Sequence, residues 1–273
     1  MTTSSTPDLL AAISAAAKRI TDVRRTQVSE SALERVASAR PPRGAAFRRA
    51  LSEGPSPRVI AECKRRSPSR GILREDYRPA EHAAAYARGG AAAISVLTEP
   101  TFFDGSLEHL QQVRAAVDTP LLRKDFLVDR YQVVEAAAAG ADAILLIVGA
   151  LDPALLRNLL DAAREFSLAA LVEVHDADEL RIAADAGAEI IGVNSRNLRT
   201  LSVDPGVHES LAAAMPRHAI AVAESGLREP ADLQRLASIG YHAFLVGERL
   251  IAQPDPGEAL RALRTAPAAR SDA

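Results

Sequence analysis

Six residues with titratable or amide side chains stand where apolar runs of this chain stop. Glu62 and Lys64 end RVIAECK, Lys124 ends PLLRK, Glu173 ends AALVE, Asn194 ends EIIGVN and Glu224 ends AIAVAE. In an extended segment side chains alternate, so Glu62 and Lys64 share a face. By the same rule Lys124 goes with Leu122, Glu173 with Leu171, Asn194 with Gly192 and Glu224 with Val222. If those faces converge, two lysines, three glutamates and an asparagine from five segments meet at one place. Ammonium groups that give protons beside carboxylates that take them are equipped for general acid–base chemistry. A second reading stays open here: buried charges need partners, and the same residues could form a salt-bridge network that only closes the end of the fold.

Two further stretches have the composition of anion sites. Ser225-Gly226 follows the run ending at Glu224, and Gly247 ends the last run, AFLVG. Backbone N–H groups in such turns bind phosphate well. Arg65-Arg66-Ser67-Pro68-Ser69-Arg70-Gly71 is a basic loop that could clamp an anion or be a solvated charge run.

The elements that must position these groups are eight short apolar runs: Arg58–Glu62, Ala92–Leu97, Pro120–Lys124, Ala143–Val148, Ala169–Glu173, Glu189–Asn194, Ala219–Glu224 and Ala243–Gly247. Four of them follow a turn at Gly90, Gly140, Gly187 or Gly240, and these glycines are 50, 47 and 53 residues apart. Each interval holds two strand–helix units, and repetition at a fixed interval marks a repeated architecture. The glycines themselves are expected to end helices in the left-handed conformation. Helical composition lies between the runs at Glu81–Arg88, Leu107–Val117, Arg130–Ala139, Pro153–Phe166, Asp176–Ala186 and Pro230–Ile239, several starting at Asp or Pro. Parallel strands need crossover helices, so the fold class is α/β, a closed (β/α)8 TIM barrel whose C-terminal rim carries the polar residues.

Asp8–Val23 and Ser29–Ala39 read as two amphipathic helices outside the repeat, cut off by Pro41-Pro42 and Gly54-Pro55-Ser56-Pro57. The expected organisation is an N-terminal helical extension over residues 1–50 packed on a barrel of residues 51–264, with a flexible tail at 265–273. The chain has 273 residues, 48% of them hydrophobic, which is one large domain's worth of core. Its net charge of −2 gives no reason to expect nucleic acid or membrane binding. No run reaches transmembrane length and the first eight residues are polar, so a cytoplasmic protein is expected. Cys63 is the sole cysteine, which excludes an internal disulfide. The six histidines show no metal-ligand spacing; His175, nearest the rim, is expected to be a turn or cap residue. No run or helix carries an excess apolar patch, and a monomer is expected.

Taken in order, AECKRRSPSRG, SVLTEPTFFDGS, LLRKDFLVD, LLIV, LVEVH, GVNSRNL, VAESG and LVGERL resemble the indole-3-glycerol phosphate synthase family of tryptophan biosynthesis. The resemblance runs from about residue 8 to about residue 262. It implies a carboxy-lyase that converts 1-(2-carboxyphenylamino)-1-deoxyribulose 5-phosphate to indole-3-glycerol phosphate, releasing carbon dioxide and water, with no metal or organic cofactor. It also implies roles. Lys124 would be the general acid and Glu173 the general base, Glu62 and Lys64 a second catalytic pair, and Asn194 an orienting group. Ser67 and Arg196 would contact the substrate and its carboxylate, and Phe103 and Phe126 would enclose the anthranilate ring. Ser225, Gly226 and Gly247, with Glu248 beside them, would surround the phosphate, and Glu224 would be a further carboxylate facing the substrate. The acid is expected to be a lysine whose pKa burial or a neighbouring cation lowers.

This chain departs from the family pattern at Cys63, expected to point outward and pack, and at Arg249, where a small residue is common. Two rivals are a lysine Schiff-base aldolase or isomerase on the same barrel, and a barrel that only binds a phosphorylated metabolite. Retention of both Lys124 and Glu173 favours catalysis over the second.

Overall fold

The computed structural model describes residues 8–39 and 41–265. Eight strands alternate with helices: β1 (Arg58–Cys63), β2 (Ala93–Leu97), β3 (Leu121–Lys124), β4 (Ala143–Ile147), β5 (Ala169–Val174), β6 (Ile190–Asn194), β7 (Ile220–Glu224) and β8 (Ala243–Val246). Each pairs in parallel with its sequence neighbours, and β1 pairs with both β2 and β8, so the sheet closes as the expected (β/α)8 barrel. Every expected run forms a strand, with ends that differ by at most one residue. The six expected helices form as well, at Pro79–Arg88, Leu107–Ala116, Arg130–Ala138, Pro153–Glu165, Ala177–Asp185 and Pro230–Ser238. Gly90, Gly140, Gly187 and Gly240 all have φ between +77° and +108°.

Alternation divides the core into two layers. Ile60, Leu122, Leu145, Leu171, Ile190, Val222 and Leu245 point into the barrel. Val59, Cys63, Ile94, Val96, Leu121, Ile144, Val172 and Ile191 point outward, beneath the helices. Cys63 is thus a packing residue; it is buried, its Sγ is 4.0 Å from the Pro79 carbonyl, and burial pushes its thiol pKa up.

Helices α1 (Leu9–Gln27) and α2 (Glu30–Ala39) match the two expected before the barrel, α1 extending to Gln27. A third, α3 (Gly44–Ser52), was not expected and crosses the anticipated division at residue 50. It packs across the barrel end formed by the strand starts, where Phe47 and Leu51 join the interior layer and are fully buried. Among the described residues, the end formed by the strand C-termini is the one left open to a ligand. The expected flexible tail lies outside the described residues from position 266 onward. Among the described residues no helix is long and apolar enough to cross a membrane.

Candidate active site

The open end is a cavity of about 730 Å³, and all fourteen residues singled out from the sequence line it. Alternation explains the catalytic candidates. Glu62, Lys124, Glu173, Asn194 and Glu224 are each the last or next-to-last residue of an inward-facing row, one layer above the apolar interior. Asn194 and Glu224 are register partners, as are Glu173 and Gly192.

Lys124 stands among carboxylates. Its Nζ is 3.2 Å from Glu173 Oε2 and 3.8 Å from Glu224 Oε2. Lys64 Nζ lies 2.6 Å from Glu62 Oε1. Asn194 donates from Nδ2 to Glu173 Oε1 at 3.1 Å and accepts the Arg196 N–H on Oδ1 at 3.0 Å, which fixes its amide orientation. The two oxygens of Glu173 are thereby assigned to different partners.

The electrostatics correct one expectation. Burial alone would lower the Lys124 pKa, but Glu173, Glu224 and Glu62 outweigh it and hold the ammonium well above its ordinary range. A buried lysine has a lowered pKa only when its neighbours are not anionic, and the register places three carboxylates around this one. Glu173 moves the other way: burial raises its pKa, but Lys124, His175 and Asn194 together hold it well below the usual carboxylate range. Glu224 is pushed up to about 8 by burial and by Glu173, with Lys124 only partly offsetting them. Its Oε1 is buried without a hydrogen-bond partner among the described residues. The two carboxyl groups that share this cation are thus driven in opposite directions, Glu173 toward its ionised form and Glu224 toward its protonated one.

Two glycines leave room for this cluster. A Cβ on Gly192 would fall 2.1 Å from Glu224 Oε1, and one on Gly247 would fall 2.2 Å from Glu62 Oε1. Gly247 thus has a steric duty beyond the expected anion contact. Gly192→Ala is expected to displace the Glu224 carboxylate, to cost about 1–3 kcal/mol as overpacking, and to lower turnover; a urea melt and a rate assay together check this.

The remaining candidates form the walls. Phe103 and Phe126 follow β2 and β3, with ring centroids 6.2 Å apart at 33°. Phe103 is held by a short helix, Pro100–Phe103, whose three N–H groups donate to Glu99. A carboxylate followed by proline at the first helical position is the sequence signal that could have found it. Ser225 and Gly226, both at positive φ, follow β7, and Gly247 follows β8, so they occupy a different arc of the rim from the aromatic pair. Glu248 lies 3.5 Å from Arg196 Nη2 and 3.8 Å from Arg70 Nη1, bridging the loops after β6 and β1. Ser67 is buried beside Ser69 in the small ribbon formed by Arg66–Ser67 and Gly71–Ile72, where the sequence suggested only a basic loop. Arg249 is exposed at the cavity edge and donates to the Arg228 carbonyl at 3.3 Å.

His175 is, as expected, a turn residue just before the helix Ala177–Asp185, and its ring makes contacts that the sequence did not suggest. Its Nε2 lies 3.4 Å from Glu173 Oε1 and its Nδ1 3.0 Å from Glu179 Oε2. The pattern Asp176-x-x-Glu179 carried the clue, since a glutamate at the third helical position reaches back toward the chain before the helix.

A parallel barrel whose free rim gathers acids, bases and glycine turns around one cavity defines the class of the protein: a (β/α)8-barrel enzyme acting on a small anionic substrate. A family model described as "Indole-3-glycerol phosphate synthase" matches residues 10–263. A protein of that name from Nocardioides sp. is 57% identical over 203 residues, covering 74% of this chain and 78% of its own. Indole-3-glycerol phosphate synthase 2 of Streptomyces coelicolor is 48% identical over 255 residues, covering 93% and 98%. The chain belongs to the indole-3-glycerol phosphate synthase family, a family of carboxy-lyases of tryptophan biosynthesis, as its ordered motifs implied. Among solved structures, thiamine phosphate pyrophosphorylase from Pyrococcus furiosus superimposes with a TM-score of 0.59 at 18% identity, covering 76% of this chain and 93% of the other, which bears on the fold alone.

Proposed function

We propose that this chain closes the indole ring of indole-3-glycerol phosphate from 1-(2-carboxyphenylamino)-1-deoxyribulose 5-phosphate, with Lys124 as acid and Glu173 as base. The observation that carries the assignment is the placement of Lys124 Nζ between Glu173 and Glu224 at the floor of a cavity with an aromatic wall. The anthranilate ring would lie against Phe103 and Phe126, and the phosphate against Ser225, Gly226, Gly247 and Glu248. Binding at both ends holds the ring carbon that bears the carboxylate against the ribulose carbonyl, which is a positioning contribution.

Attack of that carbon makes a new carbon–carbon bond and places negative charge on the carbonyl oxygen. Lys124 supplies its proton there. An alkoxide is more basic than an amine, so even a lysine held above its ordinary range surrenders a proton to it. Loss of carbon dioxide restores the aromatic ring. Dehydration then removes one proton from the new ring, taken by Glu173, and the hydroxyl leaves as water with a proton from a lysine; Lys64, paired with Glu62, is the second donor available. Asn194 orients Glu173, and Arg196 with Ser67 faces the carboxylate. Glu224 holds the proton that keeps the cluster from carrying three negative charges.

The test is a spectroscopic assay of indole formation from the carboxyphenylamino substrate by the purified chain, expected to proceed in the presence of a chelator. Glu173→Gln is expected to abolish turnover with the fold intact. Absence of turnover by the unaltered chain, or borohydride trapping of a lysine adduct with substrate, would overturn the reading. The same reading takes the protein as a cytoplasmic monomer that binds neither nucleic acid nor membrane.

A further inference from the structure

His175 directly follows β5, and its side chain is 15% exposed. Glu179 Oε2 accepts its backbone N–H at 2.8 Å and lies 3.0 Å from its Nδ1. Nε2 is buried, meets hydrogen-bond geometry with no partner among the described residues, and has Glu173 Oε1 at 3.4 Å. Glu179 is itself fixed at the start of the helix Ala177–Asp185, where its N–H donates to Asp176 Oδ1 at 2.9 Å. Gly149 leaves space for it, since a Cβ there would fall 2.7 Å from Glu179 Oε1. A file of carboxylate, imidazole and carboxylate therefore runs from the rim to Glu173.

The groups facing Glu173 show what this file does. Lys124 from β3 contacts Oε2, Asn194 from β6 contacts Oε1, and the carboxyl groups of Glu224 from β7 and Glu62 from β1 crowd the same cluster. Lys124 and His175 are the cations that favour the ionised form of Glu173, with the Asn194 hydrogen bond beside them. When Lys124 gives up its proton, it stops doing so. We propose that His175, held by Glu179, is a positioning residue that keeps Glu173 oriented and ionised during the interval in which Lys124 is neutral. The inference rests on the acid and base roles given above. The imidazole suits this role because a carboxylate lies at each of its nitrogens and favours its protonated form. Burial opposes its charge, but Glu173 and Glu179 outweigh burial and raise its pKa to about 10.

The sign of the effect is fixed. Glu173 works ionised, and removing a neighbouring cation raises its pKa, so activity is lost first at low pH. In the unaltered enzyme no acidic limb from Glu173 falls in the working range. In His175→Gln that limb is expected to move up by about one to three pH units, so that kcat falls away below about pH 5, where the unaltered enzyme keeps its plateau, with KM little changed. His175→Lys keeps a cation and is expected to return the limb to its original place. A His175→Gln profile that superimposes on the original, whatever its melting temperature, would overturn the inference. Independently, imidazole NMR shifts of the unaltered protein are expected to report doubly protonated His175 at pH 7; a neutral ring there would also overturn it. Glu173→Gln separates the two levels: if it turns over normally, the base assignment fails, and if it is inactive while the His175→Gln limb stays put, only the present inference fails.

Discussion

Lys124→Ala is expected to lower kcat by three orders of magnitude or more while the barrel still melts cooperatively. Two losses combine. A positioned acid contributes about 10²–10⁴ to a proton-transfer step, and here the same ammonium also holds Glu173 in its ionised form. Without it, His175 is left as the cation that favours ionised Glu173 beside the Glu224 carboxyl, so loss of the acid is accompanied by a weaker hold on the base. Lys124→Arg distinguishes the contributions, because a guanidinium keeps the charge but does not release a proton near neutrality. That variant is expected to retain substrate affinity and Glu173 ionisation yet remain nearly as slow as Lys124→Ala. Steady-state rates with the melting curve of each variant decide it; an alanine variant within tenfold of the original rate would overturn the acid assignment.

Much of this site was legible in the chain because it depends on two local rules. Alternation within a strand fixed which way Glu62, Lys124, Glu173, Asn194 and Glu224 point, and a strand count of eight with one period implied that their rows meet. What the sequence left open depends on contacts between elements. The Lys124 pKa was misjudged because its sign depends on which neighbours surround the ammonium, and register, not composition, supplies Glu173 and Glu224. Helix α3 was missed because a short segment between prolines and a glycine reads as a linker, although Phe47 and Leu51 stand four apart on one face. His175 was legible as a turn residue, but its ring contacts need Glu173 and Glu179 in space together.

Arg123 is the clearest case of information outside local pattern, and it carries the second large expectation: Arg123→Ala should destabilise the protein by about 3–5 kcal/mol. In sequence it is one charged residue in PLLRK, next to Lys124 and on the opposite face. In the fold it is fully buried on the outer side of β3. Its Nη2 bonds Asp125 Oδ2 at 2.9 Å, and its Nη1 reaches the Gln132 carbonyl at 2.9 Å and Glu135 Oε2 at 3.0 Å. Its Nε donates to Thr98 Oγ1 at 3.2 Å. Alanine leaves both carboxylates buried; Arg24 of α1, 3.2 Å from Glu135, compensates only one. The expected shift is in the midpoint of a urea transition with an unchanged slope, since the cost lies in the native state. Arg123→Met combined with Asp125→Asn and Glu135→Gln should recover much of the loss, because a group without charge leaves no partner stranded. Activity should fall as well. Asp125 Oδ1 accepts the Phe126 N–H at 2.8 Å, so the network holds the turn that carries the ring-binding wall and flanks the acid. A single-variant cost below about 1 kcal/mol, in the range of an exposed ion pair, would mean that the outer charges of β3 do not set the position of its inner one.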